Sequence, residues 1–197
     1  MELLAFTIIY TPRTAIKSQA LADFVAEWTE SQTPPSLIDL EHWTLYFDGS
    51  LMLQGAGAGI VLISPRGERF KYVLQLHFPA SNNVAEYEAL LHGLRIATSL
   101  GIRRLLARGD SELVVRQVMK DWVCRDPAME AYCQEVRKLE GKFDGLEITH
   151  VLRRDNEAAD ALAKMGSSRE PVPAGVFLQE LHAPSIKVEA ESEPEGP

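Results

Sequence analysis

Four acidic side chains stand out by where they fall. Asp48 ends the apolar run 43–47 and is followed by Gly49 and Ser50, and Asp110 ends the strand-like stretch RRLLARGD with Gly109 just before it. Glu86 follows the pair Asn82 and Asn83, and Asp160 interrupts the alanine- and leucine-rich stretch AADALAK. Each has an ordinary reading: a strand-terminal Asp caps the next turn, Asn83-x-x-Glu86 forms a capping box, and Asp160 faces water. Taken together these readings weaken, because each acid sits at the boundary of a different element. Gathered carboxylates repel and raise one another's pKa. Divalent cations resolve that conflict. Mg²⁺ prefers hard oxygen ligands and is held by a few carboxylates plus substrate phosphates, and two such ions ~3.5–4 Å apart serve both ends of an in-line phosphoryl displacement.

The elements that position these acids can be read from periodicity. Residues 43–48 alternate as a strand, with Trp43, Leu45 and Phe47 on one face and Thr44, Tyr46 and Asp48 on the other, before Gly49 and Ser50 turn the chain. GAGAGIVLIS, 55–64, is a second strand, and Ser64-Pro65-Arg66-Gly67 turns into a third over 68–77. Asn82-Asn83 opens a helix that Gly101 closes, and Glu86 lies about 40° from Leu90, near Gly93 and Ala97, at the edge of its apolar stripe. A fourth strand covers 103–110, and a short helix runs from Ser111 through Met119. Asp126-Pro127 begins another helix, ended by Gly141. A fifth strand spans 146–152, and a last helix 155–165 carries Asn156 and Asp160 on one face. Three antiparallel strands followed by helices interleaved with two more strands predict an α/β domain with one mixed sheet. If the first and fourth strands are parallel neighbours, Asp48 and Asp110 share the sheet edge where ligand sites form.

Composition sets the surroundings. The chain has 197 residues, room for one domain of common size plus tails, and 46% hydrophobic residues suit a packed core. Residues 1–41 read as a leader, with an amphipathic helix over 13–29 and a proline-containing linker over 29–36; the domain proper is 42–168. Residues 169–197, acidic and proline-rich, read as a disordered tail. A net charge of −8 by itself disfavours a nucleic-acid partner, but the excess of acid lies at the two ends. Residues 1–42 and 169–197 each carry two basic and six acidic side chains, leaving sixteen of each in 43–168. With some central acids assigned to cations, the remaining surface is net basic. No run approaches the ~20 apolar residues of a membrane span. The start of the chain is a poor signal peptide, and Cys124 and Cys133, nine apart without a CxxC partner, suggest neither a disulfide framework nor a zinc site. Reduced, intracellular conditions fit, with nucleus and cytoplasm indistinguishable.

The stretches FDGS (47–50), GAGAG (55–59), NNVAEYEALLHGL (82–94), GDSELVVRQV (109–118) and HVLRRDNEAADALAK (150–164) resemble, in order, the type 1 ribonuclease H family, in the version found in plant Ty3/gypsy-type retrotransposon polyproteins. The resemblance implies a ribonuclease H-like fold with a five-stranded mixed sheet flanked by helices. It also implies Asp48, Glu86, Asp110 and Asp160 as catalytic and metal-binding residues. The implied cofactor is two Mg²⁺ ions, with Mn²⁺ as substitute, and the implied reaction is hydrolysis of the RNA strand of RNA–DNA hybrids to a 5′-phosphate and a 3′-hydroxyl. Residues 10–29 resemble the segment joining reverse transcriptase to the nuclease in such polyproteins, implying a reverse-transcriptase or polyprotein partner.

Gly49, Ser50, Gly57, Asn83, Ser111, Arg153 and Asn156 are the candidate substrate contacts. Gly57, in GAGAG, would bring a strand close to a sugar–phosphate backbone and its 2′-hydroxyls, with tight packing as the alternative. Asn83 has the alternative role of helix cap. Bacterial members carry a longer loop before the last helix, with a mobile histidine. Here that loop is short, so the role is not transferred to His150; Arg153 or Arg154 could serve near the cations instead. The basic handle is also curtailed, to Lys120, Trp122 and Arg125, which predicts weak, salt-dependent hybrid binding. Two non-catalytic readings remain open: a nucleic-acid-binding remnant of a retroelement, and a module docking on reverse transcriptase.

Overall fold

The computed structural model describes residues 41–187. The leader helix and linker expected before residue 41 lie outside them. An antiparallel meander comes first: β1 (Trp43–Met52), β2 (Gly55–Ile63) and β3 (Arg69–Leu76). Then follow α1 (Asn82–Ser99), β4 (Arg104–Gly109), α2 (Glu112–Val118), α3 (Pro127–Glu140), β5 (Gly145–His150), a single 3₁₀ turn over Arg153–Asp155, α4 (Glu157–Ser168) and β6 (Val176–Leu181). The strands form one mixed sheet in the order β5-β4-β1-β2-β3-β6, with β1–β4, β4–β5 and β3–β6 parallel.

Strand alternation sorts the core into two layers. Leu45, Phe47, Ala58, Ile60, Leu62, Leu74, Leu105, Ala107, Leu146 and Ile148 point to the face covered by α1, α2 and α3. Val61 and Val73 point to the other face and pack with Leu162 of α4. Local chemistry fixes the helix ends. The Asp126 carboxylate accepts from the backbone N–H groups of Ala128 and Met129 at 2.8 and 3.3 Å, with Pro127 opening α3. Gly67 and Gly101, at φ +90° and +76°, close the expected turns.

The structure departs from the sequence reading in three places. First, β1 does not turn at Gly49 and Ser50 but runs on to Met52, pairing with β2 as far as Gly55. The glycine serves close approach: a Cβ at Gly49 would lie 2.4 Å from the Glu86 backbone nitrogen and 2.6 Å from the Ala85 carbonyl carbon. Second, Ser81 rather than Asn83 caps α1, accepting from the Val84 N–H at 3.2 Å, so Glu86 belongs to no capping box.

Third, the sheet has six strands rather than five. Residues 176–181, expected in a disordered tail, pair in parallel with β3 from Val176 beside Lys71 to Leu181 beside Leu76. The rings of Phe177 and Tyr72 stack at 5.1 Å, and the His77 N–H donates to the Leu181 carbonyl at 2.7 Å. The segment that follows is anchored by a buried acid. Glu88, fully buried in α1, accepts from the Ser185 backbone N–H at 2.8 Å, the Ser185 hydroxyl at 2.6 Å and the Tyr132 hydroxyl. His92 Nε2 stands 2.7 Å from the same serine oxygen. Burial alone would raise the Glu88 pKa, but the bonds from His92, Ser185 and Tyr132 outweigh it and hold the group below its ordinary value.

Candidate active site

The site forms at the C-terminal end of β4, with the middle of β1 beside it and the first turns of α1 against them. Phe47 of β1 pairs with Gly109 of β4 in parallel, so Asp48 and Asp110 are the next residues along adjacent strands. Ser111 then caps α2, its hydroxyl accepting from the Val114 N–H at 3.4 Å, which leaves Asp110 free of that task. The Gly49 notch admits the first turns of α1 and with them Glu86.

One oxygen from each of Asp48, Glu86 and Asp110 lies within 4.8 Å of the other two, the sole such acidic or ligating cluster among the described residues. Asp160 of α4 lines the same cleft without joining that trio. Its Oδ2 instead takes an ion pair from Lys164 Nζ at 2.9 Å, one turn on along the helix. The cleft is about 510 Å³ and also receives Ser50, Leu51, Met52, Asn82, Ser111, Arg153 and Lys164.

Burial and repulsion are visible in the protonation of Asp48 and Glu86. Asp48 and Glu86 are 4% and 3% exposed. Burial pushes the Glu86 carboxyl up to about 10, reinforced by its hydrogen bond to Asp48 and by the charges of Asp48 and Asp110. Burial likewise pushes Asp48 up to about 7, assisted by Asp110 and Asp160 and opposed by the hydrogen bond from Glu86. The pair thus holds a proton at neutral pH. Glu86 Oε2 is buried with no hydrogen-bond partner. An orphaned carboxylate oxygen beside two further carboxylates is a hard-oxygen donor set of the kind that fits Mg²⁺ or Mn²⁺.

The expected substrate contacts divide. Gly49, Ser50, Ser111 and Arg153 line the cleft. Gly57 does not: a Cβ there would fall 2.2 Å from the Ser167 backbone nitrogen and 2.6 Å from the Ala163 carbonyl, so the glycine seats α4 on the sheet. Asn83 lies within α1 outside the cleft lining, where Asn82 takes the rim position. Asn156 is 1% exposed and turned inward, its Nδ2 donating to the Phe47 carbonyl at 3.0 Å. These three residues stand out by motif, and a motif does not reveal which way a residue faces.

Lys164 was missed, although its place four residues after Asp160 on a helix is the signal that could have found it. His150 ends β5, exposed, with Nε2 3.2 Å from the Asp110 carbonyl oxygen.

A family model described as reverse transcriptase-like matches residues 46–166. Over 120 residues the chain is 39% identical to a ribonuclease HI of Halobacterium salinarum, covering 60% of each protein. It is 36% identical over 131 residues to an uncharacterized Bacillus subtilis protein, YpeP, covering 61% of this chain and 57% of that one. The chain therefore spans about three-fifths of the length of these curated relatives. Among solved structures, the ribonuclease H1 of Halobacterium salinarum superposes with a TM-score of 0.59 at 36% identity, over 65% of this chain and 98% of that one. The LC11 ribonuclease H1, solved in complex with an RNA/DNA hybrid, gives 0.56 at 26% identity, over 64% and 97%. With the family model covering more than half of its length and every one of its key acids inside that match, the chain belongs to the reverse transcriptase-like family and has the fold of the type 1 ribonucleases H.

Proposed function

We propose that the chain is a ribonuclease H, an endonuclease that hydrolyses the RNA strand of RNA–DNA hybrids with two Mg²⁺ ions, for which Mn²⁺ can substitute. The observation that carries this reading is the convergence of Asp48, Glu86 and Asp110 within 4.8 Å, with Asp160 in the same cleft. The hybrid-bound state of a relative with the same fold supports the substrate class.

Asp48, Glu86 and Asp110, with Asp160 in the same cleft, would hold the ions. When bound, the ions would supply an acidified water as nucleophile and a counter-charge for the leaving oxygen. The protein's own contribution is placement. Asn156 holds the Phe47 carbonyl and so fixes the backbone that presents Asp48. Cations held there would favour the charged form of Glu86, against the burial and the neighbouring acids that now keep its carboxyl protonated. Arg153 and Lys164 bring positive charge to the cleft wall, where a phosphodiester backbone would lie. The short 120–125 connection offers two cations and the half-exposed Trp122, a small handle for a duplex.

The likeness of residues 10–29 and of the motif set to retrotransposon polyproteins supports a further part of the proposal, that the chain works beside a reverse transcriptase. The test is cleavage of labelled RNA–DNA, RNA–RNA and DNA–DNA duplexes across a Mg²⁺ titration, with Asp110→Asn as control. Cleavage confined to the hybrid and lost in the variant is expected. Hybrid binding without cleavage in the wild type would leave a silent binding module in its place.

A further inference from the structure

The thiols of Cys124 and Cys133 take no part in the chemistry above, yet their sulfurs lie 3.3 Å apart. Cys133 sits on α3 in the core, 1% exposed, its thiol donating to the Tyr87 hydroxyl oxygen at 3.1 Å while that hydroxyl donates to Gln117 Oε1 at 2.7 Å. Cys124 is half-buried on the connection between α2 and α3, beside the exposed Trp122 and Val123. The two sulfurs are already in van der Waals contact, and closure to a bond of ~2.05 Å asks for a shift shared between two side chains and a short connection.

We propose that Cys124 and Cys133 are a reversible oxidation site, closing a disulfide that ties the α2–α3 connection to α3 when the protein meets an oxidised low-molecular-weight thiol. The order of events follows from access. Cys124 reaches solvent and attacks the disulfide of oxidised glutathione, forming a Cys124–glutathione mixed disulfide and releasing one reduced glutathione. Cys133 sulfur then attacks Cys124 sulfur, expelling the second glutathione as its thiol. Two protein S–H bonds and one glutathione S–S bond are exchanged for one protein S–S bond and two glutathione S–H bonds. Burial pushes the Cys133 thiol up to about 12, so it is a poor first nucleophile; its role is to resolve the adduct at close range. The bond would fasten the segment carrying Lys120, Arg125 and the exposed ring of Trp122.

The test treats the full chain, native and cation-free, with oxidised glutathione and reads intact mass and free thiols after denaturation. These are the chain's two cysteines, so the arithmetic is unambiguous. The expected product is a monomer lighter by two hydrogens with no titratable thiol, restored by dithiothreitol, and with slower amide exchange over 120–126. Cys133→Ala should instead stop at a stable glutathione adduct on Cys124. Cys124→Ala should remain unmodified while native, and it keeps the test decisive if the core variant fails to fold. A stable adduct on the wild type, a disulfide-linked dimer, or two thiols left free would each overturn the proposal. None of these readings depends on whether the protein cleaves hybrids.

Discussion

The side-chain amide of Asn156 donates to the carbonyl of Phe47 at 3.0 Å, joining residues 109 positions apart in sequence. That bond ties the start of α4 to the stretch of β1 that presents Asp48. Asn156→Ala removes it and leaves the Phe47 carbonyl buried without this partner. The variant should lose ~1–3 kcal/mol of stability in urea unfolding. Hybrid cleavage should fall more steeply than hybrid binding, because the side chain faces the strand and not the cleft. Equal losses in cleavage and binding would mean that Asn156 touches substrate.

The acid cluster makes the cation-free protein sensitive to pH in a definite direction. Asp48 and Glu86 bind protons more tightly folded than unfolded, with folded values of about 7 and about 10. Stability is therefore full below the ordinary carboxyl range, near pH 4, and is lost as pH climbs through 7 for Asp48 and toward 10 for Glu86. Thermal melts in a chelator should fall from pH 5.5 to pH 8. Mg²⁺ should recover the loss, since a ligand that binds only the folded state stabilises it. Glu86→Gln should flatten the slope and raise stability at pH 8 by about 1 kcal/mol while abolishing cleavage. A Glu86→Gln protein that melts lower than wild type at pH 8 would contradict the assigned strain.

Lys164 occupies one oxygen of Asp160 at 2.9 Å. It stands where a cation drawing on Asp160 would have to compete. Lys164→Met should tighten Mn²⁺ binding two- to fivefold in calorimetry, the release of an exposed pair worth ~0.4–1 kcal/mol. Unchanged Mn²⁺ affinity would make the pair a simple helix-surface contact.

Gly49→Ala tests the notch that seats α1. The added methyl would lie 2.4 Å from the Glu86 nitrogen, a backbone atom that cannot step aside alone. A loss of ~1–3 kcal/mol is expected, together with a sharp drop in cleavage because Glu86 must move with its backbone.

Ser185→Ala tests the anchor on Glu88. One hydroxyl hydrogen bond to a buried carboxylate disappears, and His92 loses its 2.7 Å neighbour. The variant should be ~1.5–3 kcal/mol less stable with its specific activity intact.

Much of this architecture was legible before any coordinates, and the reason is periodicity. Alternation in 43–48, the Gly109-Asp110 ending of 103–110, and the turns at Gly67 and Gly101 mark the strands that bring Asp48 and Asp110 side by side. Facing was harder to read. Asn83 and Asn156 have the same side chain, yet one lies in a helix away from the cleft and the other is buried against β1. Gly57 and Gly49 both admit a neighbour, but the neighbours are α4 for one and α1 for the other. β6 escaped notice because six strand residues lie inside a proline-rich, acidic stretch, and their pairing partner is a hundred residues upstream. Glu88 would have hinted at it: a carboxylate two residues from Glu86, buried in a helix, needs donors from elsewhere.

The pairing of Phe47 with Gly109 carries an evolutionary consequence. Successive residues of a strand face opposite ways, so one deletion in β4 would not shift Asp110 slightly; it would turn the acid toward the other side of the molecule. Drift by insertion or deletion in these two strands is thus all-or-nothing for the site, and lineages should tolerate length changes in the hairpin tips and connecting loops while keeping the spacing inside β1 and β4 invariant.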